Sequence, residues 1–191
     1  MYNVIRILSM KKVFLFSIFI YFFIACSDND KKEQNSTDAN TQSALSQGEN
    51  TQFDIHLIDG NSVFVKKSGE KITFDINKAT LFVFFTTWCT PCIAEIPHLN
   101  KLQEKYKDDF NIVGILLEDK SNEEIKSFKD KNKIIYEIAN GENNYLLAKI
   151  LGGIDGIPTM FLYDKNSQLI NQYLGLIPEE MLEIDIQKAI F

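Results

Sequence analysis

Three stretches predict an α/β fold, a central mixed β-sheet flanked by helices. Leu81–Phe85 is an unbroken run of large apolar side chains, the composition of a strand buried on both faces. After a short polar turn, Ile96, Leu99, Leu102 and Tyr106 recur at helical spacing and mark one apolar helix face. Asn111–Leu117, NIVGILL, is then a second apolar strand. Strand, helix and strand in this order close as a right-handed crossover with parallel pairing. A later strand, Leu169–Leu174, is expected to return antiparallel and makes the sheet mixed.

The chain has 191 residues, 45% of them hydrophobic, with 15 Phe and a single Trp, enough for one domain with a substantial core. Formal net charge is −6, and Arg6, Lys11 and Lys12 stand in the first 25 residues without any acid. The rest is therefore acidic, which argues against nucleic acid as a partner.

Taken from the N-terminus, Lys11-Lys12 precede Val13–Ala25, a nearly all-apolar segment that ends at Cys26. The segment is shorter than the ~20 residues a spanning helix needs, and it fits the apolar region of a signal peptide. An uncleaved signal anchor is the alternative, and Met10 could serve as the start in place of Met1. Ser27–Asn50 has Leu45 as its one aliphatic residue larger than Ala, too little apolar surface to order itself, so it is expected to be a flexible tether. The organisation read here is a signal peptide over residues 1–25, a tether over 26–50 and a folded domain over 51–191.

Phe53, Ile55 and Leu57 alternate, Asp59-Gly60 makes a turn, and Ser62–Val65 and Ile72–Phe74 flank a second turn at Ser68-Gly69. His56 is read as a strand or surface residue. Beyond the first crossover, Ser121 with Glu124 forms a capping box that opens a helix running to about Asp130. Ile134–Ile138 is predicted as a strand, and Asn144–Leu151 as a helix stopped by Gly152-Gly153. Met160–Tyr163 follows as a strand, then a turn at Asp164–Ser167. Pro178, Glu179 and Glu180 open a last helix; Met181, Ile184 and Lys188 lie along it with Leu182, Ile186 and Ile190 nearby, and the helix is expected to pack on the sheet.

Cys89 and Cys92 lie where the first buried strand hands over to the helix. The first helical turn has unpaired N–H groups and a partial positive charge, which stabilise a thiolate. Two cysteines in C-x-x-C can close a disulfide: the exposed one attacks a partner disulfide and the other resolves the mixed disulfide. Attack is assigned to Cys89, at the helix tip, and resolution to Cys92, one turn deeper. Pro91 suits the first turn, where its missing N–H costs little. A zinc site needs four ligands, and the other candidates, Cys26, His56 and His98, lack the spacing for one. Glu95, three residues past Cys92, shares its helix face. A carboxyl buried there would have a raised pKa and could exchange a proton with Cys92, whereas an exposed one would only offset the helix dipole. His98 is read as a rim or exposed residue.

Trp88-Cys89-Thr90-Pro91-Cys92 after a buried strand resembles the thioredoxin superfamily. WCTPCIAEIP, with Glu95 and Pro97, resembles more narrowly the membrane-anchored TlpA/ResA-like thiol-disulfide oxidoreductases, and the resemblance runs from about Phe53 to the C-terminus. It implies a thioredoxin-like fold with an N-terminal β-hairpin and a central helix–strand insertion. Cytoplasmic thioredoxins usually carry a buried aspartate six residues before the first cysteine. That position is Val83 here, which passes the proton-transfer role to Glu95. The resemblance also implies that Pro158, in Gly156-Ile157-Pro158-Thr159, follows a cis bond beside the cysteines. Trp88, Thr90, Pro91, Ile157 and Pro158 would then meet the substrate, Ile157 through its backbone. Phe23-Ile24-Ala25-Cys26 resembles a bacterial lipobox, with Cys26 as the lipidated residue, although Phe23 stands where leucine is usual.

The function these resemblances imply is a lipid-anchored oxidoreductase of the bacterial cell envelope, facing the periplasm or extracytoplasmic space. It would reduce disulfides in proteins such as an apocytochrome c through Cys89 and Cys92, with no cofactor or metal beyond that redox-active pair. A DsbD/CcdA-like membrane protein would supply its electrons. The alternatives are an oxidase or isomerase of the same fold, or a non-enzymatic lipoprotein that binds copper through its thiols.

Overall fold

The computed structural model describes residues 50–191. The segment read as a signal peptide, Cys26 and nearly all of the tether lie outside the described residues. A five-stranded sheet in the order β6-β5-β4-β7-β8 is built from β4 (Ala79–Phe85), β5 (Phe110–Leu116), β6 (Glu137–Ala139), β7 (Thr159–Tyr163) and β8 (Leu169–Leu174). β4 pairs parallel with β5, and β5 with β6; β7 runs antiparallel to both β4 and β8. The mixed sheet expected from the sequence is the observed one.

All seven residues of β4 are buried, as its unbroken apolar run required. Leu81, Val83 and Phe85 face one core and Phe82 and Phe84 the other, the alternation a strand imposes. On the first face lie α1 (Thr90–Lys105) and α4 (Glu179–Ile190), with Ile125 of α2 (Asn122–Lys131) at its edge. The opposite face is covered by α3 (Asn143–Ile150) and by a small antiparallel sheet of β1 (Thr51–His56), β2 (Ser62–Ser68) and β3 (Lys71–Phe74). Phe74 of β3 lies 4.7 Å from Phe82 and 4.8 Å from Tyr163, ring centroid to ring centroid, fastening the two sheets.

Several elements differ from their sequence reading, each for a physical reason. The N-terminal unit has the three strands read from the sequence, and the pairing of Val65–Ser68 with Lys71–Phe74 across the Ser68-Gly69 turn extends β2 to Ser68 and β3 back to Lys71. Its end is joined to the main sheet by Ile58 N–H to Ile138 C=O and Asn140 N–H to His56 C=O, both 2.9 Å, which covers part of the β6 edge. The strand expected over Ile134–Ile138 is Glu137–Ala139. Its first residues find other partners: Ile134 N–H donates to Lys129 C=O at 2.9 Å, Ile135 N–H to Asn100 Oδ1 at 3.2 Å, and Asn100 Nδ2 to Lys133 C=O at 2.8 Å. α4 buries Leu182, Ile186 and Ala189, while Met181 and Ile184 face outward. The same rotation brings Glu179 and Glu183 against Lys101 and Lys105 of α1, with which they form ion pairs.

Candidate active site

β4 ends at Phe85, and a turn closed by Cys89 N–H to Thr86 C=O at 3.3 Å leads into α1. Cys89 is the N-cap of that helix, and its Sγ accepts the N–H of Cys92 at 3.2 Å, the cap contact that an oxygen side chain usually makes. Cys89 and Cys92 are joined as a disulfide. One of the first-turn N–H groups thus points at the Cys89 sulfur, where it would also stabilise a thiolate.

The two sulfur residues are nearly equal in exposure, 3% for Cys89 and 5% for Cys92. Exposure therefore does not single out Cys89, contrary to the expectation that the attacking cysteine is the exposed one. What distinguishes it is its place at the helix cap. Trp88 stands beside the pair and is 70% exposed, so it is not a core residue. Thr90 and Pro91 are exposed, Pro91 within the first helical turn. Both cysteines pack into the core face shared by α1 and α4, with Ile157 against it. Pro158 is buried, the Ile157–Pro158 bond is cis, and the Pro158 carbonyl accepts the N–H of Gly175 at 2.8 Å. Leu174 and Leu176, on either side of Gly175, are exposed apolar residues that the sequence did not single out.

Glu95 lies on the buried stripe of α1 with Cys92, Ile96, Leu99 and Leu102, at 1% exposure. Neither carboxylate oxygen has a hydrogen-bond partner. Burial raises its pKa above the ordinary 4.5, with His98 and the Ile177 backbone opposing the rise in part. Tyr136 is a further buried acid near Glu95: burial first, and the Glu95 charge second, push its phenol up. It packs over Gly114 of β5, where a Cβ would lie 3.5 Å from the Tyr136 ring and 3.0 Å from Phe85. Sequence reading missed Tyr136, because only the β5–β6 pairing swings it onto the α1 face. His98 is exposed, and His56 lies on β1, where its Nδ1 meets Ser62 Oγ at 3.0 Å. Among the described residues no three His, Cys, Asp or Glu side chains are grouped to hold a metal ion.

A model of the AhpC/TSA family matches residues 63–184. The chain belongs to the AhpC/TSA family. It is 31% identical over 132 residues to the thiol-disulfide oxidoreductase ResA of Bacillus anthracis, covering 67% of this chain and 74% of that protein. It is 22% identical to the sporulation thiol-disulfide oxidoreductase A of Bacillus subtilis, over 69% of this chain and 75% of that one. Among solved structures it is similar to a putative thiol:disulfide interchange protein DsbE from Chlorobium tepidum. That likeness has a TM-score of 0.59 and 27% identity, covering 78% of this chain and 100% of that chain. The thioredoxin-like fold and the kinship with ResA-type proteins read from the sequence are both borne out. The protein is a thiol-disulfide oxidoreductase, and other proteins are its substrates.

Proposed function

We propose that this oxidoreductase reduces disulfides of proteins outside the cytoplasm, tethered to a membrane through lipidated Cys26. The observation that supports it most directly is the Cys89–Cys92 disulfide at the cap of α1, with the unpartnered, buried Glu95 carboxyl on the same helix stripe. In the reduced protein the Cys89 thiolate attacks one sulfur of a substrate disulfide. That S–S bond breaks, a Cys89–substrate disulfide forms, and the departing sulfur leaves as a thiolate that takes up a proton. Cys92 then passes its proton to Glu95 and attacks Cys89 Sγ. The second substrate sulfur is released, and two electrons have moved from the protein pair to the substrate. Trp88, Thr90, Pro91, Ile157 and Pro158 are the residues that meet the substrate, Ile157 through its backbone, and an apocytochrome c is the favoured substrate. A DsbD/CcdA-like membrane protein returns the pair to the dithiol. The relatives named as thiol-disulfide oxidoreductases support the chemistry.

Titration of residues 50–191 against defined redox buffers, read by Trp88 fluorescence, tests the direction. A potential at or below about −270 mV is expected for a reductase. A value near about −120 mV would overturn reduction in favour of an oxidase. Absence of a reversible transition, with tight Cu(I) binding instead, would favour a thiol-based copper carrier.

A further inference from the structure

Glu118 follows β5 and takes no part in the chemistry above. Its Oε2 accepts the N–H of Thr87 at 2.6 Å, a part-buried contact between residues far apart in the chain. The last backbone bond between these two strands runs from Leu117 N–H to Phe85 C=O at 3.0 Å. Just beyond that point, a carboxylate takes over from the main chain as acceptor. Thr87 is the second residue of the turn that Cys89 N–H closes on Thr86 C=O. Glu118 therefore grips the segment that carries Trp88 and delivers Cys89 to the helix cap. Among the described residues no Lys, Arg or His forms an ion pair with it, and the nearby Lys120 is engaged with Glu124 at 3.7 Å. Its negative charge is met by the Thr87 amide rather than by a cation.

We propose that Glu118 is a positioning residue for the Thr86–Cys89 turn, and that its charge, paired with no cation, opposes thiolate formation at Cys89 and so keeps the dithiol a strong reductant. Like charge disfavours a second anion nearby, and a less stable reduced form is a stronger reductant. The inference rests on the reading of Cys89 as the attacking sulfur.

Two variants separate position from charge. Glu118→Gln keeps an acceptor of the same shape without the charge, and Glu118→Ala removes both. In Glu118→Gln the equilibrium constant for reduction of the disulfide by glutathione should rise by about three- to tenfold, the order expected of one unit charge acting under nearly water-like screening. The pH midpoint for iodoacetamide alkylation of Cys89 should fall, and amide hydrogen exchange at Thr87 should stay slow. Glu118→Ala should show the same redox change together with faster exchange at Thr87. An unchanged equilibrium constant and alkylation profile in Glu118→Gln would overturn the charge effect, and slow exchange at Thr87 in Glu118→Ala would overturn the positioning. Alkylation of Cys92 ahead of Cys89 in the unaltered protein would instead remove the reading on which the inference rests.

Discussion

Glu95 has an environment no surface acid has: it is buried on the helix stripe that holds Cys92, both its oxygens are unpartnered, and burial raises its pKa. A carboxyl so placed is held in its neutral form to a higher pH than usual, ready to exchange a proton with a neighbouring sulfur. Glu95→Gln should therefore slow resolution and change the pH profile of thiol exchange, with a loss of about 10²-fold or more if it acts as a general base. Stopped-flow exchange with a peptide disulfide at several pH values would measure this, and an unaltered profile would remove Glu95 from the proton path. Cys92→Ala should leave Cys89 able to attack but unable to release its partner. Substrates should then accumulate as mixed disulfides that run as larger species on non-reducing gels. The nearness in chain of Cys89, Cys92 and Glu95 made these residues legible beforehand. Tyr136 and Glu118 were not, because they reach the site from another part of the chain through strand pairing.

At the scale of elements, local chemistry and close packing can be tested separately. The Ser121–Glu124 capping box is present in full: Ser121 Oγ accepts Glu124 N–H at 3.3 Å and Glu124 Oε2 accepts Ser121 N–H at 3.0 Å. Ser121→Ala should cost about 1 kcal/mol by urea unfolding, the usual worth of an N-cap. Gly114 is a different case. A Cβ there would meet Phe85 Cε1 at 3.0 Å inside the core, and Phe85 is itself held by stacking on Phe128 at 6.0 Å between ring centroids. Gly114→Ala should destabilise by about 1–3 kcal/mol, as overpacking does. It should also disturb Tyr136, which a shift in near-ultraviolet circular dichroism would register. The capping box was readable because its residues are three apart. The crowding at Gly114 was not, since it depends on side chains brought in from β4 and from the segment before β6.

For the whole molecule, titration of the folded state sets how stability depends on pH. Asp185 is held down to about 2 by Lys188, Asn171 and Tyr173, below its ordinary 3.8. Its contribution is full above the ordinary value and is lost as pH falls toward about 2. Glu95 has the opposite sign: its raised pKa favours folding at low pH, and that contribution fades as pH climbs above its ordinary 4.5 and through its folded value. The oxidised domain should lose stability on both sides of mildly acidic pH. In urea titrations across pH, Glu95→Gln should flatten the alkaline side and Asp185→Asn the acid side; a Glu95→Gln curve parallel to that of the unaltered protein would contradict the burial of an ionisable Glu95. The sequence by itself determined the order of strands and helices, the mixed sheet and the cysteine pair at a helix start. Each of these follows from apolar periodicity or from residues a few positions apart, and such neighbours are constrained by the chain itself. Tertiary structure alone decided which face of α4 is buried, where β6 begins, that both cysteines are almost equally covered, that Tyr136 lies near Glu95, and that Glu118 meets the Thr87 amide. Those outcomes depend on which distant groups satisfy each backbone amide and fill each gap in the core, and that competition is settled only when all the elements pack together.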